Sequence, residues 1–274
     1  MAIQETAAAH GLTALTGLEL DRLTETQVVE RVLTAVGRGE GGWLATLNID
    51  ICRAVRQDPE LSGLVAAASL TVPDGMPLLW AAKLRGDPLP ERVTGASLIY
   101  SLSQAAAAAG RSIYLLGGAP GVPEQAGQRL QECYPGLVVA GSDAPPVGFD
   151  TSPEGLRAVR DKLTAADPDI VFVGLGFPKQ ERLITGLTQV LPGSWFVACG
   201  AAISFAAGAH PRAPEWMQHM GLEWFFRLST EPRRLARRYL IDDLPFAARL
   251  LASSAAERLP GGRSEDGSQP GGPA

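Results

Sequence analysis

Short apolar runs alternate with helix-patterned segments along most of this chain, and that rhythm restricts the fold more than any other feature. Val28, Val29, Val32, Leu33 and Val36 recur at helical spacing, and Trp43–Leu47 then reads as a strand. Pro59–Ala68 is helical and Leu70–Val72 a short strand. The spacing predicts a helix over Ala96–Ala109, stopped by Gly110, and a buried strand at Ile113–Leu116. Pro123–Cys133, Leu137–Ala140, Pro153–Ala166, Ile170–Val173 and Trp195–Cys199 continue the alternation. Such a series implies an α/β fold: a mostly parallel sheet with helices on both faces. Sheets of this kind bind ligands in the crevice beyond the carboxyl ends of their strands.

The flanks differ from this middle. Residues 1–20 are rich in Ala, Thr and Gly, weakly patterned, and read as an N-terminal extension to a body spanning 21–210. Composition changes near His210. Between Glu223 and Arg249 stand six arginines (Arg227, Arg233, Arg234, Arg237, Arg238 and Arg249) against four acids. Trp216, Trp224, Phe225, Phe226, Tyr239 and Phe246 are interleaved with them. This pattern suits a helical appendage over 211–254, without which the body is expected to fold, and not another βα unit. Residues 255–274, largely Gly, Pro, Ser and charge, read as a disordered tail.

Bulk numbers remove several functional classes. With 274 residues, 46% of them hydrophobic, the chain can bury a large core. A net charge of −5 argues against a nucleic-acid partner, which needs a broad basic face. No run of about 18 apolar residues is present to span a bilayer. No signal peptide is visible, so a cytoplasmic protein with at most peripheral membrane contact is expected. Cys52, Cys133 and Cys199 form no CxxC pair and suit buried thiols in a reducing compartment. His10, His210 and His219 fall in no metal-binding spacing; neither a metal site nor a cofactor is expected.

Four polar or glycine-rich loops follow strands. The first, Thr46-Leu47-Asn48, ends the Trp43 strand. The second, Pro73-Asp74-Gly75, presents Asp74 at the sheet edge, either as a turn-forming or capping residue or as a catalytic carboxylate. In the third, Gly117-Gly118-Ala119-Pro120-Gly121, Gly117 and Gly118 let backbone approach a phosphate at a helix N-terminus, and a plain tight turn is the competing reading. It departs from GxGxxG and lacks a downstream ribose-binding acid, which speaks against a dinucleotide-dependent oxidoreductase. The fourth, Gly174-Leu175-Gly176-Phe177-Pro178-Lys179-Gln180-Glu181, makes Gly176 and Lys179 ligand-site candidates, with Pro178 suited to a first helical turn. Asp167-Pro168-Asp169 imitates a metal-binding DxD, yet it enters its strand at the amino end and reads as a turn.

Taken together, the loops resemble the WecG/TagA/CpsF family of bacterial glycosyltransferases, over about residues 25–250. The resemblance is carried by Thr46-Leu47-Asn48, Pro73-Asp74-Gly75, Glu91-Arg92-Val93-Thr94-Gly95, Tyr114–Gly118, Gly174–Glu181, Arg212–Met217, Gly221–Leu228 and Glu231-Pro232-Arg233-Arg234. It implies a Rossmann-like body and inverting, metal-independent transfer of an N-acetylmannosamine-type sugar from UDP. The implied acceptor is N-acetylglucosamine on a polyprenyl pyrophosphate, and the products are cell-surface polysaccharides. Asp74 matches the family position proposed for the base that takes the acceptor proton, with Glu181 next in line. Thr46 and Asn48 match positions lining the same pocket. Arg92 and Gln180 are candidates to contact the departing diphosphate. Arg227, Arg234 and Arg237 match appendage positions, and their spacing brings them near one face if the helix is continuous. The resemblance also implies that the appendage docks on an anionic membrane and completes the site, and that the chain self-associates away from membrane.

One departure bears on selection of uridine: Ser204 stands where the family often has an acid. Two other readings compete. One is a transferase using a different UDP-sugar, a hexose or N-acetylmannosaminuronic acid. The other is a nucleotide-binding, non-catalytic subunit of a polysaccharide assembly complex.

Overall fold

In the computed structural model, residues 11–258 are described, except 212, 215, 218, 219, 221 and 231. The apolar runs become strands β3 (Gly42–Leu47), β4 (Leu70–Pro73), β5 (Ser112–Gly117), β6 (Val138–Asp143), β7 (Ile170–Gly174) and β8 (Trp195–Ala198). They form one wholly parallel sheet in the order β4-β3-β8-β7-β5-β6. Ile170–Val173 and Trp195–Ala198 are buried throughout, because helices cover both sides of the sheet.

One face carries α1 (Glu25–Gly37), α5 (Gly95–Ala109), α6 (Val122–Cys133) and α9 (Ala202–Ala206). The other carries α2 (Ile49–Gln57), α3 (Pro59–Ala66), α4 (Met76–Arg85), α7 (Pro153–Ala166) and α8 (Lys179–Thr188). Gly110 ends α5 in the left-handed conformation, at φ 64°. From β5 the chain runs through α6 to β6, and from the adjacent β7 through α8 to β8 on the opposite side. Neighbouring strands whose connections diverge in this way leave a crevice between their loops.

The N-terminal reading needs correcting. From Leu12 onward the chain is no extension: β1 (Leu12–Leu15) and β2 (Leu18–Asp21) form an antiparallel hairpin turned by Thr16 and Gly17, both at positive φ. Leu15, Leu18 and Leu20 enter the core, and the Asp21 carboxylate accepts the Thr71 N–H of β4 at 2.7 Å. Residues 1–10 and the tail from 259 lie outside the described residues.

The described part of the appendage is helical. It comprises α10 (Glu223–Thr230), α11 (Pro232–Ala236), a π-helical stretch Arg237–Asp243 and α12 (Leu244–Glu257). The last helix packs along α4, buries Leu250, pairs Glu257 with Arg85 at 2.9 Å and continues past residue 254. The last helix thus contributes to the same core as the body. The cysteine reading also needs amending: Cys52 and Cys199 are buried, and Cys133 is exposed. No described helix is long and apolar enough to cross a membrane.

Candidate active site

The motif loops line up along the carboxyl edge of the sheet. At one end, β3 and β4 are neighbours with Leu47 paired to Pro73. Asn48 and Asp74, far apart in the chain, therefore emerge side by side. The Asp74 and Gly75 N–H groups both donate to the Leu47 carbonyl, at 2.7 and 3.2 Å. A Cβ on Gly75 would lie 3.5 Å from the Asn48 Cα, which shows how closely the two turns pass. Asn48 caps α2 by accepting the Ile51 N–H at 3.1 Å. Thr46 is buried, and its hydroxyl donates to the Ala198 carbonyl at the end of β8. Asp74 itself is half-buried at the rim.

Arg92 joins the same end. The Val93 N–H donates to the Pro73 carbonyl at 2.9 Å, tying this loop to the end of β4. The Arg92 guanidinium meets the Glu223 carboxylate of α10 at 3.3 Å, with both side chains largely covered. An appendage acid thus reaches the functional edge. In the sequence Glu223 stands among the appendage charges and within the Gly221–Leu228 motif, and its identity alone carries no signal of this contact with Arg92.

The switch point between β5 and β7 is built from glycine. Gly117 has φ 116°, and a Cβ there would collide with the Gly174 carbonyl oxygen. A Cβ on Gly174 would stand 2.6 Å from the Gly200 carbonyl oxygen. The ends of β5, β7 and β8 therefore approach backbone to backbone, and the Gly117-Gly118 turn leads into the N-terminus of α6. Gly176 sits at φ 80° with open space where a Cβ would be.

Gln180 faces inward. Its Oε1 accepts the N–H groups of Gly176 at 3.2 Å and Gly200 at 3.3 Å, and its Nε2 donates to Glu181 Oε1 at 2.9 Å. Glu181 is buried, and burial pushes its carboxyl above the usual glutamate range. Pro178 takes the N-cap position, one residue before the first turn expected for it. Lys179 turns toward the β6–α7 loop, where its ammonium lies 2.9 Å from Asp150 and 5.7 Å from the centre of the Phe149 ring. The hydrogen bond from Lys179 holds the Asp150 carboxyl below the usual aspartate range. Beside that loop an open cavity of about 290 Å³ is lined by Asp143, Pro145, Val147, Phe149 and Lys162.

The remaining expectations fall elsewhere. Asp169 lies at the amino end of β7 and accepts the N–H and hydroxyl of Ser112 at 2.7 and 3.0 Å, the structural turn expected of the DxD imitation. Ser204 is half-buried on α9. Arg237 is exposed on the π stretch, and the side chains of Arg227 and Arg234 lie outside the described part of the structure.

Two comparisons with known proteins bear on this edge. The sequence profile of the glycosyl transferase WecG/TagA/CpsF family matches residues 13–259, from the hairpin to the end of the appendage. A Bacillus spizizenii protein, N-acetylglucosaminyldiphosphoundecaprenol N-acetyl-beta-D-mannosaminyltransferase, is 31% identical over 204 residues, which cover 74% of this chain and 77% of that protein.

Proposed function

Because this chain belongs to the glycosyl transferase WecG/TagA/CpsF family, we propose that it moves an N-acetylmannosamine-like sugar from UDP onto N-acetylglucosamine borne by a polyprenyl diphosphate. The observation that carries this reading is the meeting of Asn48, Asp74 and Arg92 at one end of a crevice whose middle is a glycine-built switch point. Neighbouring strands stand about 4.8 Å apart, so the ends of β4 and β5 are separated by roughly 19 Å. A nucleotide sugar lies along that edge, its diphosphate at Gly117, Gly118 and the α6 N-terminus, its nucleoside toward the cavity beside β6.

In the proposed step the acceptor hydroxyl oxygen bonds to the anomeric carbon from the face opposite the leaving group. Its proton passes to the Asp74 carboxylate. The bond from the anomeric carbon to the UDP oxygen breaks, and that oxygen keeps the electron pair. Arg92, paired with Glu223 at the β4 end, adds positive charge to the same edge. Arg227, Arg234 and Arg237 add positive charge from the appendage. Gln180, with its amide engaged by two loops, serves the site by holding those loops. Metal-free transfer is supported by Asp167 and Asp169 lying on the opposite edge of the sheet. An anionic membrane surface is proposed to receive the appendage, where the lipid-linked acceptor resides.

The test is transfer itself. Pure protein is incubated with a panel of UDP-sugars and a short-chain polyprenyl-diphosphate N-acetylglucosamine, with and without excess EDTA. A lipid-linked disaccharide from UDP-N-acetylmannosamine, at an undiminished rate in EDTA and of anomeric configuration opposite to the donor, is the expected result. Transfer from another UDP-sugar alone would change the donor. No transfer from any would leave a nucleotide-binding subunit, and a rate restored only by Mn²⁺ or Mg²⁺ would end the metal-free mechanism.

A further inference from the structure

The Gln180–Glu181 pair has a geometry that neither a diphosphate contact nor a second base explains. Two backbone donors, the N–H groups of Gly176 and Gly200, converge on one side-chain atom of Gln180. Only its carbonyl oxygen can receive both. The amide orientation is thereby dictated, and Nε2 is left pointing the other way in a buried place. It needs an acceptor there, and Glu181 Oε1 supplies one at 2.9 Å. Glu181 is only 2% exposed, and its Oε2 is buried with no hydrogen-bond partner among the described residues. A general base needs a path to the proton it removes, and a carboxylate held in this way faces its neighbour instead.

The two loops joined by Gln180 also approach each other through their backbones. Gly174 and Gly200 pass so closely that a Cβ on Gly174 would stand 2.6 Å from the Gly200 carbonyl oxygen. The Gln180 N–H also returns to the Gly176 carbonyl at 3.0 Å, closing the β7–α8 loop on itself. If Gln180 turned over, its NH2 group would oppose two N–H donors, and both loop amides would lose their acceptor.

We propose that Glu181 is a positioning residue: by accepting from Gln180 Nε2 it sets the orientation of that amide, and so locks the β7–α8 and β8–α9 loops together as one rim of the donor crevice. The consequence for transfer rests on the donor-binding reading above, whereas the lock itself is a property of the free protein. What matters at position 181 is an acceptor oxygen, not a charge. A glutamine there supplies that oxygen, and a methionine of similar length does not.

The experiment reads amide exchange first. In the free protein, Glu181→Met is expected to speed exchange at Gly176 and Gly200 by roughly tenfold or more, and Glu181→Gln to restore most of the protection. With UDP-sugar, Glu181→Met is expected to raise the donor KM by about tenfold with a smaller fall in kcat, and Glu181→Gln to recover most of that loss. In the unaltered chain the Gln180 NH2 protons are expected to exchange as slowly as the two glycine amides, which tests the lock even if the methionine variant does not fold. Wild-type exchange in Glu181→Met, or a freely exchanging Gln180 NH2 in the unaltered chain, overturns the proposal. Loss of turnover in Glu181→Gln with native glycine protection also overturns it, by making the carboxyl itself the reacting group. Because exchange needs no substrate, failure of the transferase reading would leave this result standing or falling by itself.

Discussion

Asp74 is placed by its backbone before its side chain does anything. Its N–H and that of Gly75 share the Leu47 carbonyl, so its backbone is held beside Asn48. Asp74→Asn should therefore leave the fold and nucleotide affinity nearly unchanged while removing the proton acceptor. Transfer should fall by about 10²–10⁴-fold, read as initial rates beside calorimetric UDP binding. Near-normal turnover would move the base elsewhere. Glu181 makes a separate prediction about stability. Burial raises its carboxyl above the usual range, so the folded chain holds that proton more tightly than the unfolded one. This contribution to stability is complete below the ordinary glutamate pKa and is lost as pH rises through the raised folded value. Glutamine at 181 lacks the dependence. The melting temperature of Glu181→Gln, relative to wild type, should therefore climb over a pH window that opens at the ordinary glutamate pKa. A difference flat across that window would show that Glu181 titrates alike in both states.

At the scale of elements, the glycine approach of β5 to β7 separates two kinds of cost. Gly117→Ala adds a Cβ at φ 116° that meets the Gly174 carbonyl, so the alanine carries both backbone strain and a collision between strands. Gly176→Ala carries strain alone, since its Cβ would enter open space. Denaturant unfolding should show about 1–3 kcal/mol lost for Gly176→Ala and a larger loss for Gly117→Ala. Equal losses would mean that the strands separate without penalty. The strands themselves were legible in the sequence because β5, β7 and β8 are buried on both faces and read as unbroken apolar runs. The hairpin was not: two four-residue strands around a turn are too short for a period to emerge. Helices α2 and α4 begin immediately after Asn48 and Gly75, so the same residues act as loop motif and helix entry, and the motif drew the reading. Asn48 and Asp74 were placed in one pocket by the family resemblance, while composition encodes neither that placement nor the β3–β4 pairing that brings them side by side. Gln180 in a polar loop reads as facing solvent or ligand; its inward turn follows from two glycine N–H groups that only the folded backbone brings together.

At the scale of the whole molecule, the appendage is bound to the body at several points while presenting an apolar surface outward. Asp243 lies 3.3 Å from Arg53 of α2, Arg238 lies 2.8 Å from Asp50, and Glu223 holds Arg92. Leu235 and Leu250 are buried, so a chain cut before residue 221 would lose core contacts as well as any outward function. Side-chain substitutions are the cleaner probe. Trp216, Phe225 and Ile241 are 60%, 53% and 66% exposed, and Arg233, Arg237 and Arg249 are exposed along the same segment. Exposed aromatic and aliphatic groups among arginines suit an anionic lipid surface, where rings sit at the interface and each basic residue adds roughly 1 kcal/mol. Phe225→Ser combined with Ile241→Ser removes two side chains each worth about 1.5–3 kcal/mol when fully buried. Partial insertion still predicts a loss of roughly 10- to 100-fold in binding to vesicles rich in anionic lipid, read by co-sedimentation. Folding stability should move by no more than about 0.5 kcal/mol per site, because neither side chain is buried in the free protein. Turnover on a soluble acceptor analogue should change little, while turnover on vesicle-borne acceptor should fall with binding. Unchanged vesicle binding accompanied by a smaller particle in solution would reassign this surface to contact between copies of the chain.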